Sequence, residues 1–168
     1  MGQSVLILGG ARSGKSRFAK SLAQQLGGDD VLFVATAQPF DGEMTERIER
    51  HKSERPSSWK TCEWPREIGR NLAEQEQTHA AIVIDCLTLW VSNLLLSFPE
   101  DADFDEIENS LRAELDSLAQ AIQNRPETII VVSGEVGQGI VPESSLARRF
   151  RDLLGWANQS LAETATAV

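Results

Sequence analysis

The sequence predicts an α/β fold, a mostly parallel sheet with helices on both faces, built as one domain. Two observations carry the architecture. Short apolar runs alternate with segments of helical periodicity along the whole chain, the pattern of strands joined by crossover helices. The first run feeds a glycine-rich turn that opens directly into a helix. A third observation sets the domain count: 168 residues without a repeat or a low-complexity linker suit one domain over 1–168 with a core of its own.

The first strand is the apolar run Val5-Leu6-Ile7-Leu8, followed by Gly9-Gly10-Ala11-Arg12-Ser13-Gly14-Lys15-Ser16. That octet fits G-x-x-x-x-G-K-S/T, so the expected fold is P-loop NTPase-like and the expected ligand is a nucleoside triphosphate. Glycines let consecutive backbone N–H groups wrap a phosphate. Lys15 supplies a mobile cation for the β- and γ-phosphates and Ser16 a hydroxyl for Mg²⁺. The helix beginning there aims its positive dipole end at the same anion.

Residues 16–26 read as that helix, closed by Gly27-Gly28, and 31–35 as the second strand. A loop over 36–42, with Pro39 and Gly42 as breakers, leads to a short charged helix over 43–53 on which Met44, Ile48 and His51 share a face. Arg55-Pro56-Ser57-Ser58 ends it; 59–64 are extended, and a helix follows over 66–77. The third strand is 80–85, and 87–96 is apolar nearly all round, as a buried helix is. Beyond an acidic loop at 99–105, Ile107, Leu111, Leu115, Leu118 and Ile122 recur in steps of three or four and mark a long amphipathic helix. Residues 128–133 form the fourth strand. The loop 134–139 superficially matches a dinucleotide fingerprint, but extended Ile140-Val141-Pro142 follows it instead of a helix, which excludes that reading. The last helix starts near Ser144 or Ser145 and is expected to bury Leu146, Phe150, Leu153, Ala157 and Leu161. In such a sheet ligands gather beyond the carboxyl ends of the strands, which here carry the glycine-rich loop, Thr36, Asp85 and Glu135.

Composition narrows the partners. A net charge of −9 argues against a broad nucleic-acid surface, so cations for a triphosphate must be concentrated locally. Cys62 and Cys86, the two cysteines, form no C-x-x-C pair and fit a reducing cytoplasm. The first strand begins too early to leave room for a signal peptide, and no stretch approaches the roughly 18 consecutive apolar residues of a membrane span.

Asp85 ends an apolar strand, where a P-loop protein keeps its second Mg²⁺ contact; a helix N-cap or turn aspartate is the plainer reading. His51 is either a satisfied core histidine or a nucleophile. Arg47, Lys52 and Arg55 cluster around it, and cations with partial burial favour the neutral imidazole that attacks phosphorus. Glu63 and Glu135 could each accept the paired N1–H and N2–H donors of guanine, or simply be solvated. His79, with no polar cluster near it in sequence, reads as structural or solvent-exposed. Arg148 and Arg151 lie opposite the Leu146/Phe150/Leu153 stripe, on a solvated face or at a subunit interface.

With these residues in view, the chain closely resembles the bifunctional adenosylcobinamide kinase/adenosylcobinamide-phosphate guanylyltransferase family of cobalamin assembly, over essentially its whole length. The resemblance rests on GGARSGKSRFA, Glu43-Met44 with Arg47-Ile48 and His51-Lys52, Arg55-Pro56 with Trp59, DCLTLWVSNLL from Asp85, EVGQGIVPE from Glu135, and LARRFRDLLGWANQSLA from Leu146. It implies phosphorylation of adenosylcobinamide by ATP or GTP, then transfer of GMP from GTP to adenosylcobinamide phosphate through a guanylylated histidine, with release of pyrophosphate. By the same carry-over His51 is the guanylylated residue, and Ala35, Thr36, Ala37, Lys52, Ser53, Glu54, Arg55, Glu63 and Asp85 help bind GTP. Mg²⁺ as cofactor and a homo-oligomer are implied as well. The rivals are a small-molecule kinase without nucleotidyl transfer and a GTP-dependent switch; the latter usually carries N-K-x-D, and no Asn-Lys pair occurs here. The chain departs from its relatives in two places. Gly134 stands where many carry asparagine, and after Glu163-Thr164-Ala165-Thr166-Ala167-Val168 similar proteins run into a further apolar strand. The expectation is that the sequence given stops short of the natural C-terminus, leaving the sheet without that strand.

Overall fold

A computed structural model describes residues 2–168. Five strands, β1 (Ser4–Gly9), β2 (Val31–Ala35), β3 (Lys60–Glu63), β4 (Ala81–Asp85) and β5 (Thr128–Gly134), form one sheet in the order β1-β5-β4-β2-β3. Every pairing is parallel. Six helices accompany them: α1 (Lys15–Gly27), α2 (Gly42–Ser53), α3 (Ile68–Glu74), α4 (Leu87–Leu96), α5 (Phe104–Asn124) and α6 (Ser145–Thr164). None is long and apolar enough to cross a membrane.

Side-chain alternation along the central strands divides the apolar residues between two faces. Leu32 and Val34 of β2, with Ile129 and Val131 of β5, join the larger core, which contains Trp90 and Leu94 of α4, Leu111 and Leu118 of α5, and Leu153 of α6. Their neighbours Val31, Phe33, Ile130 and Val132 face the other way, onto Ala19 and Ala23 of α1 and the Trp59 ring. The second face is thin because α1 presents alanines, which let the helix opened by the glycine-rich loop sit close to the sheet. On the first face α3 packs tightly on α5: a Cβ at Gly69 would stand 2.4 Å from the Leu118 backbone nitrogen.

At four places the structure refines or corrects the sequence reading. The extended stretch over 59–64 pairs with β2 from Leu32↔Lys60 to Ala35↔Glu63, making β3 a fifth strand, on the sheet's edge. The helix expected over 66–77 shrinks to α3, which starts behind Glu67 in the left-handed region (φ 52°) and stops before Gln75. Leu146, expected in the core, is 49% exposed, because it lies in the first turn of α6 while Leu153, Ala157 and Leu161 take the buried positions further along. Thr166 and Ala167 lie parallel to the outer edge of β1, with a bridge from Val5 to Ala167 and Leu6 donating to the Ala167 carbonyl at 2.9 Å. The place of the expected further strand thus carries one bridge.

Candidate active site

The glycine-rich loop takes the shape its spelling requires. Gly14 has φ 89°, a value glycine adopts without strain, and a Cβ on Gly9 would stand 2.7 Å from Ser13 Oγ. Gly10, Ala11, Arg12 and Ser13 are exposed at the turn, open to an incoming anion. Arg12 also holds a left-handed φ of 54°, a conformation uncommon outside glycine, asparagine and aspartate. Lys15 folds back to donate from Nζ to the Gly10 carbonyl at 2.8 Å. Ser16 Oγ donates to Asp85 Oδ1 at 3.4 Å, so the two side chains expected to share Mg²⁺ meet across the gap between α1 and β4. Two hard oxygens beside a phosphate loop suit Mg²⁺, which takes one or two protein ligands and fills its shell with phosphate oxygens and water. Among the described residues no group of three or more His, Cys, Asp or Glu forms a self-contained metal cage.

Burial pushes the Asp85 carboxyl above the ordinary aspartate value, opposed by the Ser16 hydrogen bond and by the charges of His51, Arg55 and Lys20. Its turn is fixed from behind. Thr36 is fully buried, and its hydroxyl both accepts from Cys86 N–H at 2.9 Å and donates to the Cys86 carbonyl at 2.7 Å. Buried Asn93 of α4 in turn donates to the Thr36 carbonyl at 2.8 Å and to that of Pro65 at 3.0 Å. Thr36, expected among the GTP contacts, therefore turns its side chain inward, and Ala35 and Ala37 on either side of it face the cleft, as the alternation of an extended segment demands.

That cleft has a volume of about 330 Å³. It brings together Lys15 and Ser16 from the loop and α1, His51 from α2, Arg55 beyond it, Glu63 from β3 and Asp85 from β4. Met44, Arg47 and Ile48 add the rest of the α2 face predicted from helical spacing, so His51 looks into a cavity and not into the core. Arg55 is held flat by stacking: its guanidinium lies 3.8 Å from the Phe33 ring centroid, and Phe33 stacks on Trp59 at 6.4 Å. Arg55 Nε is buried with no hydrogen-bond partner among the described residues. Glu135 and Val136 close the far wall beside Gly134, whose N–H donates to Thr88 Oγ1 at 2.8 Å. A Cβ on Gly134 would stand 3.0 Å from that same oxygen, so a side chain there would require Thr88 to give way by a few tenths of an ångström.

Other expected residues lie outside the cleft. Lys52 and Ser53 line an adjoining shallow groove, which shares Arg55 and Glu63 with it, and Lys52 pairs with Glu63 at 2.9 Å. Glu54 pairs with Lys20 at 2.9 Å. Arg148 donates to the Pro142 and Glu143 carbonyls, and Arg151 pairs with Asp152. His79 takes the structural of its two sequence readings and not the exposed one: it is buried in a polar cluster, with Nδ1 2.9 Å from Asp30 Oδ1 and its backbone N–H donating to Glu127. The partners come from residues 49 and 48 positions away, which is why nothing near it in sequence announced them. Sequence reasoning passed over Lys20 and Asn93. Asn93 left one cue, a lone amide in an otherwise apolar helix; Lys20 left none.

Known proteins match along the whole chain. A model of the family described as cobinamide kinase / cobinamide phosphate guanyltransferase matches residues 5–168. The bifunctional adenosylcobalamin biosynthesis protein CobU of Escherichia coli (strain K12) is 40% identical over 98% of this chain and 92% of its own. The protein of the same name from Salmonella typhimurium is 42% identical over 98% of this chain and 92% of its own. The bifunctional adenosylcobalamin biosynthesis protein CobP of Pseudomonas aeruginosa is 42% identical over 94% and 86%.

Proposed function

The chain belongs to the cobinamide kinase / cobinamide phosphate guanyltransferase family, and we propose that one P-loop domain over 1–168 carries out both steps of that name. It phosphorylates the hydroxyl of adenosylcobinamide with ATP or GTP, then transfers GMP from GTP to adenosylcobinamide phosphate. The observation that supports this reading is the shared cleft, which Lys15 and Ser16 of the phosphate loop line together with His51.

In the kinase step the loop N–H groups and Lys15 hold the terminal phosphates and stabilise charge on the group in transfer. Ser16 and Asp85 would hold Mg²⁺, which when bound offsets charge on the β- and γ-oxygens. In the guanylyl step a His51 ring nitrogen attacks the α-phosphorus; an N–P bond forms, the bond to the bridging α–β oxygen breaks, and pyrophosphate leaves. A phosphate oxygen of the substrate then attacks the same phosphorus and the N–P bond breaks, restoring His51. Arg55 stacks over Phe33 with an unused donor beside the cleft, and Glu63 offers a carboxylate to guanine. The nucleotide substrates and the two cysteines support a cytoplasmic location, the family resemblance supports a homo-oligomer, and the net charge of −9 argues against a nucleic-acid partner.

Two labels test the reading. With adenosylcobinamide as acceptor, γ-labelled nucleotide is expected to label a first product, and α-labelled GTP a second product formed from it. Transfer of γ-label alone would make the protein a plain small-molecule kinase.

A further inference from the structure

Among the described residues, α2 is the one helix with no buried side chain, although it carries His51. Apolar packing therefore does not fix the histidine, and polar contacts must. Two ion pairs leave the end of this helix. Lys52 reaches Glu63 on β3. Glu54, the C-cap, accepts from Lys20 Nζ at 2.9 Å, the only hydrogen bond between α1 and α2 among the described residues. Lys20 lies on the helix that the phosphate loop opens, and its side chain is only 16% exposed. The Glu54 oxygen that binds Lys20 also stands 3.8 Å from His51 Nδ1.

We propose that the Lys20–Glu54 pair is a positioning clasp, which ties the histidine helix to the phosphate-loop helix and lets Glu54 turn the His51 ring so that Nε2 is the attacking nitrogen. The inference rests on reading His51 as the guanylylated residue. Two physical points support it. At 3.8 Å the two groups are short of a hydrogen bond in this structure, and catalytic contacts of this kind tighten when substrate binds. An imidazole that then donates Nδ1–H to the carboxylate is held in one tautomer, with its lone pair on Nε2. A carboxylate near a triphosphate repels it unless a cation neutralises it. Lys20 does this by hydrogen bond and charge, holding the Glu54 carboxyl below the ordinary glutamate value. Glu54 thus acts on the histidine, although the family resemblance puts it among the nucleotide contacts. Glu54 is half exposed and the pair is a single one at the surface, so it adds little to stability and its variants are expected to fold.

The test is single-turnover formation of acid-labile protein label from α-labelled GTP, over a range of GTP concentrations, with circular dichroism as the fold check. Glu54→Gln is expected to lower the saturating rate by about 10- to 100-fold, the scale of a misplaced reacting group, with half-saturation near the wild-type GTP concentration. Lys20→Met, which keeps the carboxylate beside His51, is expected to lose less. The exchange Lys20→Glu with Glu54→Lys restores the cross-link without a carboxylate at His51 and is expected to stay slow. A wild-type saturating rate in Glu54→Gln, a loss confined to GTP affinity, or a fast exchange variant would each overturn the proposal. Label persisting in His51→Ala would overturn the underlying reading as well. Label lost in His51→Ala but formed at the wild-type rate in Glu54→Gln would overturn the clasp alone.

Discussion

The two ends of the sheet use the same residue types for opposite purposes. At the amino ends of the strands, His79, Asp30, Arg125 and Glu127 form a cluster whose histidine side chain is 4% exposed. At the carboxyl ends, His51, Arg55, Glu63 and Asp85 surround a cleft, and the histidine side chain is 41% exposed. Arg125 spends its donors inside the protein, on Glu127 and on the carbonyls of Leu72, Gln75 and Gln77. Among the described residues Arg55 makes one hydrogen bond, from Nη1 to Thr61 Oγ1 at 3.4 Å, and leaves Nε unpaired. The difference lies in access and in the arginines. The closed cluster leaves His79 Nε2 without a partner among the described residues but spends Arg125 entirely on the protein, so it holds strands together. The half-open one keeps an Arg55 donor beside a cleft that can take up a charged ligand.

Several variants would break or sharpen this contrast. The largest effect is expected from His51→Ala, which should cut guanylyl transfer by about 10³-fold or more, as loss of a nucleophile does, without shifting the urea midpoint. His79→Ala should do the reverse. Arg125→Met leaves the Glu127 carboxylate buried without its partner and should cost about 3–5 kcal/mol of stability, measured by urea unfolding. The same cluster sets an acid dependence. Burial alone would raise the Glu127 carboxyl, but hydrogen bonds from Arg125 and from backbone N–H groups outweigh it and hold it below the ordinary 4.5. A carboxyl lowered by folding stabilises the protein above that value and loses its contribution as pH falls through the folded one. Wild-type stability should therefore drop on acidification below pH 4.5, more steeply than that of Arg125→Met.

Smaller effects are expected behind the cleft. Thr36→Val strands the Cys86 N–H and should cost about 1–3 kcal/mol, together with a raised Mg²⁺ requirement in the kinase assay, since that turn carries Asp85. The smallest concerns Cys86, which lines the cleft yet has its thiol pushed up to about 11, first by burial and then by the Asp85 charge. The thiolate is the reactive form, so iodoacetamide near neutral pH should modify Cys86 far more slowly than it does glutathione.

Much of the carboxyl-end site was legible in the chain because its parts are local. The glycine-rich octet, the 44/48/51 face of α2 and the strand-ending Asp85 each lie within one element, where spacing dictates direction. The amino-end cluster was not legible, since Asp30 and Glu127 reach His79 from other strands and only the register of β2, β4 and β5 brings them together. Thr36 shows what a motif leaves open: its side chain turns inward to Cys86 while Ala35 and Ala37 line the cleft, because an extended chain points alternate residues apart. β3 was ambiguous because a four-residue edge strand with exposed Lys60, Thr61 and Glu63 has almost no apolar signature.

The contrast between the two histidines can be measured directly. The protein would be incubated with α-labelled GTP in the absence of corrinoid, quenched in alkali, cleaved, and mapped for covalently bound GMP. GMP on the peptide containing His51, none on that containing His79, and its discharge by cobinamide phosphate is the predicted result. No covalent GMP, or GMP on any residue other than His51, would contradict it.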